Sequence, residues 1–195
     1  MIRIGILGNI GSGKSFVAKN FGYPVFNADH QVSKLYQKNR IVYQKLKKIL
    51  PDHIYEFPID KLKISNAIIE NNSNLKKIIK IVHKEIRNQL RDFLKKNKNK
   101  KFVILDIPLL LENKMNKKKD ILVYVESRKT DILRNLKKRK NFNRKILNKF
   151  KKIQLPLVYK KKISKFIIKN KFTKKSVKDA VENILKVIEN ERSSS

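Results

Sequence analysis

Apolar residues in this chain occur in two arrangements. In five short stretches, residues 2–7, 24–27, 102–107, 121–125 and 166–168, they run almost without interruption. Elsewhere they return every third or fourth position among charged and amide side chains. A short continuous apolar run suits a strand covered on both faces, as in a parallel sheet, whereas strict alternation would mark a sheet with one wet face. Helical spacing between such runs points to βα repeats, so the pattern predicts an α/β fold with a doubly wound parallel sheet. Right-handed crossovers then bring the loops that follow the strands to one edge, where open α/β sheets bind ligands.

The alternation is interrupted once. From 31 to 99 helical periodicity continues with no central-strand pattern. Val32, Leu35 and Tyr36 share one helix face, and Leu46, Ile49 and Leu50 share another. A turn with Pro51 and Pro58 follows, after which Leu75, Ile78, Ile79, Val82, Ile86, Leu90 and Phe93 form one long stripe. This stretch is too long for a simple crossover and reads as a helical insertion able to hold a second substrate. Residues 95–101 form a charged connector back to the sheet. A further basic helical stretch covers 131–154, broken at 141–143, with Asn143 suited to cap the helix that follows. The expected organisation is a core of 1–30, 100–130 and 161–195, an insertion of 31–99 and a lid of 131–160.

Charge changes this picture less than its size suggests. Lys and Arg number 49 against 16 acidic residues, a formal net charge of +33. Only nine of the 49 are arginine, and the lysines lie in every segment outside the apolar runs, in a background rich in Asn. Base reading favours Arg, and RNA platforms interleave aromatics with basic residues. Here the aromatics are either in the apolar runs, as Phe26, Phe102, Tyr124 and Phe166 are, or scattered singly along the helical stretches. No specific nucleic-acid partner is therefore expected, only weak, salt-sensitive binding. No apolar run is long enough to span a membrane, there is no cysteine and the first residues lack a secretory-signal pattern. A cytoplasmic protein, a monomer or weak oligomer with no membrane partner, is the expectation.

The candidate chemistry starts at residues 8–15, which read Gly8-Asn9-Ile10-Gly11-Ser12-Gly13-Lys14-Ser15. This is a complete G-x-x-x-x-G-K-[ST] loop between a predicted strand and a predicted helix. Backbone N–H groups there converge on an anion, and the helix dipole adds positive potential. Lys14 would reach the β- and γ-phosphates, and the Ser15 hydroxyl would meet Mg²⁺. The loop implies a bound nucleoside triphosphate. Asp29 follows the second predicted strand, where a carboxylate can take or orient the proton of an acceptor hydroxyl, or cap the helix beginning near 31. Asp106 ends the third strand and suits a Mg²⁺ partner, direct or through water. The histidines at 30, 53 and 83 have no metal-ligand spacing. Arg139, Arg144 and Lys160 lie in the basic helical stretch or just beyond it, where cations close over a nucleotide in phosphoryl transfer. These residues leave open a kinase of some small acceptor or a basic RNA-binding ATPase.

Taken in order, the residues resemble the dephospho-coenzyme A kinases along nearly the whole chain. That family's G-x-x-G-x-G-K-S is matched at 8–15, and its "D-A-D" strand end by Asn27-Ala28-Asp29. Its "H-P-x-I" helix is matched by His83-Lys84-Glu85-Ile86, and its "D-x-P-L-L-x-E" by 106–112. Arg139, Gln154 and the "V-I-x-N" echo Ile167-Ile168-Lys169-Asn170 complete the set. The resemblance implies a P-loop kinase-type sheet of five strands with a helical substrate-binding insertion and a helical lid. It implies transfer of the γ-phosphoryl of ATP to the ribose 3′-hydroxyl of dephospho-CoA, the last step of CoA synthesis. On the same basis Gly8, Asn9, Ile10, Gly11, Ser12, Gly13, Lys14 and Ser15 would hold the triphosphate, with Ser15 and Asp106 on Mg²⁺. Asp29 would be the catalytic base, assisted by Lys14 and Arg139. His83, Arg87, Pro108, Leu109, Leu110 and Glu112 would form the acceptor side. The chain departs from the pattern where Asn27 replaces Asp, where no Pro follows His83, where Ser164-Lys165 replaces Ala-Asp, and where Lys61 and Lys160 stand near family arginines. Lysine keeps the charge and loses the bidentate fork.

Overall fold

The computed structural model describes residues 1–138 and 142–193. β1 (Ile2–Gly8) runs into α1 (Lys14–Asn20), and β2 (Val25–Asn27) into α2 (Ala28–Lys38), α3 (Arg40–Ile49), α4 (Lys61–Glu70) and α5 (Asn72–Lys96). β3 (Phe102–Asp106) and β4 (Ile121–Glu126) precede α6 (Lys129–Lys137), α7 (Arg144–Ile153) and α8 (Leu157–Lys162). β5 (Phe166–Lys169) and α9 (Lys174–Ser193) follow. Every continuous apolar run is a strand, and all strands lie in one sheet of order β2-β3-β1-β4-β5. Each neighbouring pair is parallel. The doubly wound α/β architecture expected from the pattern is the one observed.

Two compact units emerge from the contacts. The first comprises the described residues of Met1–Asn27, Asn97–Phe142 and Gln154–Ser195. Its core joins Ile4, Ile6, Phe102, Ile104, Val123, Val125 and Ile168 of the sheet to Val17, Ala18 and Phe21 around α1. Val177, Val181, Ile184 and Ile188 add one stripe of α9. Strands buried on both faces are why their sequences read as unbroken apolar runs. The central place of β1, between β3 and β4, sets the ends of those two strands on either side of the loop that leaves β1.

The second unit comprises Ala28–Lys96 and Asn143–Ile153. Its spine is α5, whose Leu75, Ile78, Val82, Ile86 and Leu90 are buried at helical spacing. α2, α3 and α4 pack against it, and burial pushes the Tyr36 phenol of α2 upward. No sequence signal marks α4. Its buried Ile64, Ala67 and Ile68 share the helix with an exposed Leu62, and Ser65-Asn66 breaks the apolar rhythm. Asn143 caps α7 as the sequence suggests, its Oδ1 accepting from Lys145 and Ile146 N–H at 2.9 and 3.2 Å. Lys149 of α7 donates to the carbonyls of Ile68 and Ile69 in the last turn of α4, groups with no partner within their own helix. The stretch 131–160 is thus shared: α6 and α8 belong with the sheet and α7 with the helical unit.

Candidate active site

The loop after β1 is shaped by its glycines. Gly8, Gly11 and Gly13 hold φ of 144°, 85° and 86°, values that side chains resist. A Cβ on Gly11 would lie 2.9 Å from Leu136 of α6, and one on Gly8 only 2.6 Å from the Val125 carbonyl. The loop is therefore pressed against β4 and α6. α1 starts directly after Gly13 with no side-chain cap, leaving its first N–H groups and the positive end of the helix dipole for an anion. Lys14 is buried and folds back over the loop, its Nζ donating to the carbonyls of Gly8 and Asn9 at 3.2 and 2.8 Å. The Asn9 side chain accepts from the Ile10 N–H at 2.8 Å, and Ser12 N–H bonds back to the Asn9 carbonyl at 3.1 Å. Ser15 is exposed in the first turn of α1.

Asp106 closes β3 at the same edge. The residue is only 2% exposed, and its carboxylate accepts a hydrogen bond from the Asn27 side-chain amide. The two residues are register partners at the ends of adjacent strands, so an Asp at 27 would set two carboxylates face to face. The amide instead orients the acidic group without repelling it. Mg²⁺ binds through one or two protein oxygens plus phosphate oxygens and waters. The Ser15 hydroxyl and the Asp106 carboxylate supply hard oxygen donors of that kind, and they fit it. Among the described residues no cluster of three or more acidic, His or Cys ligands offers an all-protein cage.

Beyond Asp106 the chain makes a tight turn. Leu110 N–H bonds to the Ile107 carbonyl and Asn113 N–H to that of Leu109, each at 3.1 Å. Pro108 is half-buried, whereas Leu109 and Leu110 are buried. Leu110 fills the space beside Gly5, where a Cβ would come within 2.6 Å of its Cδ2. Glu112 pairs with Lys160 of α8, Oε1 to Nζ 2.6 Å, with side-chain exposures of 9% and 1%. The same oxygen accepts the Leu155 N–H at 2.9 Å. Glu112 Oε2 and Gln154 Nε2 are both buried without a protein partner. Lys160 near a family arginine is thus the buried mate of the motif's glutamate.

In the helical unit, Asp29 lies exposed in the first turn of α2, two residues past the end of β2. Ser33 Oγ donates to its carbonyl at 2.8 Å and accepts from Lys61 Nζ at 2.6 Å. This brings Lys61 to the turn that carries the predicted base. His83, half-buried, and Arg87, exposed, stand one turn apart on α5. Arg139 lies outside the described residues. In the sequence Asn27 stands out only as a departure from the family pattern, and no motif marks Ser127, whose hydroxyl donates to the Ser12 carbonyl at 2.9 Å. Its position directly after a buried strand is the signal that could have marked it.

Comparison with known proteins agrees with this geometry. The family model for dephospho-CoA kinase matches residues 2–176. A dephospho-CoA kinase of Wolbachia sp. subsp. Brugia malayi (strain TRS) is 33% identical over 187 residues, covering 93% of this chain and 95% of its own. The crystal structure of a Thermus thermophilus protein is similar at a TM-score of 0.75 and 27% identity, covering 94% of this chain and 96% of its own. The dephospho-CoA kinase of Campylobacter jejuni shares the fold at a TM-score of 0.62 and 19% identity, with 95% and 96% covered.

Proposed function

This chain belongs to the dephospho-CoA kinase family, an enzyme that phosphorylates dephospho-CoA with ATP in coenzyme A biosynthesis, and from that premise we propose how its residues divide the work. Gly8 through Ser15 cradle the triphosphate, with Lys14 leaving its loop carbonyls to meet the β- and γ-phosphate oxygens. Ser15 and Asp106 would hold Mg²⁺, the latter directly or through water. A Mg²⁺ held there would supply positive charge to offset that of the phosphates. Asp29 accepts the proton of the ribose 3′-hydroxyl. The hydroxyl oxygen bonds to the γ-phosphorus as the bond to the β-phosphate oxygen breaks, giving ADP and coenzyme A. His83, Arg87 and Pro108 serve the acceptor. Leu109 and Leu110 brace that side from the core, and Glu112, locked to Lys160, fixes the turn. Arg139 screens phosphate charge, and the reaction runs in the cytoplasm.

The observation that carries this reading is the glycine loop running from β1 straight into the uncapped start of α1, with Asp106 oriented by Asn27 on the strand beside it. The purified protein with Mg·ATP and dephospho-CoA is expected to yield ADP and coenzyme A in equal amounts. Phosphorus NMR should locate the new group on the 3′-oxygen. Adenosine, shikimate and nucleoside monophosphates serve as competing acceptors. Preferred phosphorylation of any of these, with dephospho-CoA left untouched, overturns the reading.

A further inference from the structure

We propose that Asn170, together with Ser127, is a positioning residue for the triphosphate: the pair fixes the direction of the Ser12–Gly13 peptide, and with it the N–H donors offered to phosphate. The inference rests on reading residues 8–15 as the ATP site.

The Ser12 carbonyl oxygen is used twice by side chains. Ser127 Oγ, just past β4, donates to it at 2.9 Å, and Asn170 Nδ2, just past β5, donates at 2.9 Å. A carbonyl oxygen has two lone pairs, so this acceptor is fully occupied. In a trans peptide the C=O and the next N–H point to opposite sides. Drawing the Ser12 oxygen toward the ends of β4 and β5 turns the Gly13 N–H the other way.

Asn170 is itself held firmly. It is 3% exposed, its N–H bonds to the Glu126 carbonyl at 2.8 Å, and its Oδ1 accepts from Phe172 N–H at 2.8 Å. Because Oδ1 already faces an N–H, the amide must present its NH₂ end to Ser12. Phe172 adopts φ of 60°, a strained left-handed value for an aromatic residue, of the kind that collects at functional sites. A Cβ on Gly13 would lie 2.3 Å from Asn170 Nδ2 and 2.9 Å from the Phe172 ring. Residues 170–172 are thus built against the very peptide that carries the donor. An Asn serving only to end β5 would need neither the bond to Ser12 nor the contact with Gly13.

The test is the affinity of the whole protein for Mg·ATP without acceptor, measured by titration calorimetry. Asn170→Asp keeps the size and the acceptor for Phe172 but sets an oxygen against the Ser12 carbonyl. Its Kd for ATP should rise roughly tenfold, the worth of one good hydrogen bond. Its Kd for dephospho-CoA should stay at the parent value, while its unliganded melting temperature should fall, because a buried carboxylate then faces a carbonyl; in Ser127→Ala both should stay close to the parent values. Ser127→Ala, which removes the other donor, should weaken ATP about threefold, and it carries the test if Asn170→Asp does not fold. Parent-like ATP affinity in a folded Asn170→Asp, or in Ser127→Ala where that is the variant read, overturns the proposal. So does an equal loss of ATP affinity and dephospho-CoA affinity, which would mark a merely structural role. A parent that binds ATP but leaves dephospho-CoA unphosphorylated would sink the proposed function while leaving this measurement intact.

Discussion

Asp29 offers an exposed carboxylate in the first turn of α2, with Lys61 bonded to the same turn through Ser33. A positioned general base contributes about 10²- to 10⁴-fold to a rate. Asn at 29 keeps the size and the hydrogen-bonding reach but not the basicity. Asp29→Asn is therefore expected to lower kcat by about 10²- to 10⁴-fold while ATP affinity, proposed to rest on residues 8–15, is retained; a parent-like kcat removes Asp29 from the chemistry. Lys160 tests a different kind of residue. Its ammonium is buried against Glu112, so removing it strands a desolvated carboxylate. Lys160→Met should cost about 3–5 kcal/mol in urea unfolding, and adding Glu112→Leu should recover most of the loss, because an apolar pair replaces a buried ion pair well. If the double variant is no more stable than the single one, the pair is not the cause. The phosphate loop is legible in the sequence because its parts are contiguous. Lys160 is not, since among so many lysines only its distant partner distinguishes it. The Asn27–Asp106 bond, spanning 79 positions, is hidden for the same reason.

The elements themselves were readable wherever one rule governed them. Each strand of the sheet is covered on both faces, so continuous apolar runs located all of them to within two residues. The stripe of α5 was equally plain. α4 escaped because its buried face is narrow, and the tie from Lys149 that satisfies its last carbonyls comes from a helix far along the chain. A similar tie joins β1 to the approach to β4. Arg3 pairs with Asp120 at 2.9 Å, both side chains buried, and donates to the Met115 carbonyl at 3.0 Å. Burial pushes the Asp120 carboxyl above its usual range, with the Lys117 N–H and the Arg3 charge offsetting this only in part. A carboxyl whose folded pKa exceeds its unfolded value, about 3.9, holds its proton more tightly in the fold. Its ionisation therefore costs stability as pH rises through the folded pKa, and that cost fades as pH falls. Arg3→Met removes the counter-charge and should destabilise by about 3–5 kcal/mol at neutral pH. The deficit against the parent should shrink as denaturant midpoints are followed from pH 7 down to pH 4. A deficit independent of pH would assign the loss to packing of the arginine stem.

For the molecule as a whole, the strand order and the sharing of 131–160 between two units depend on contacts between distant segments, which no local pattern encodes. The net charge of +33 is legible at once and still says little about the fold. Among the described residues only Lys14 and Lys160 are buried lysines, one over the phosphate loop and one against Glu112. The remaining described lysines keep some contact with water and repel one another, which opposes compaction. Both substrates are polyanions, so the same field draws them in. Salt separates the two effects. Screening lengths fall from about 30 Å at 0.01 M to about 10 Å at 0.1 M. Across that range of sodium chloride the unliganded melting temperature should rise, because repulsion is screened. kcat/KM for ATP and for dephospho-CoA should fall together as steering is lost. kcat should hold nearly steady, since contacts to a bound substrate are shorter than either length. RNA added at low salt should bind and compete, then release as salt rises, and at no concentration should it raise kcat. A melting temperature indifferent to salt would mean that the lysine charge is already compensated in the folded chain. A kcat stimulated by RNA would mean that the basic surface belongs to the reaction.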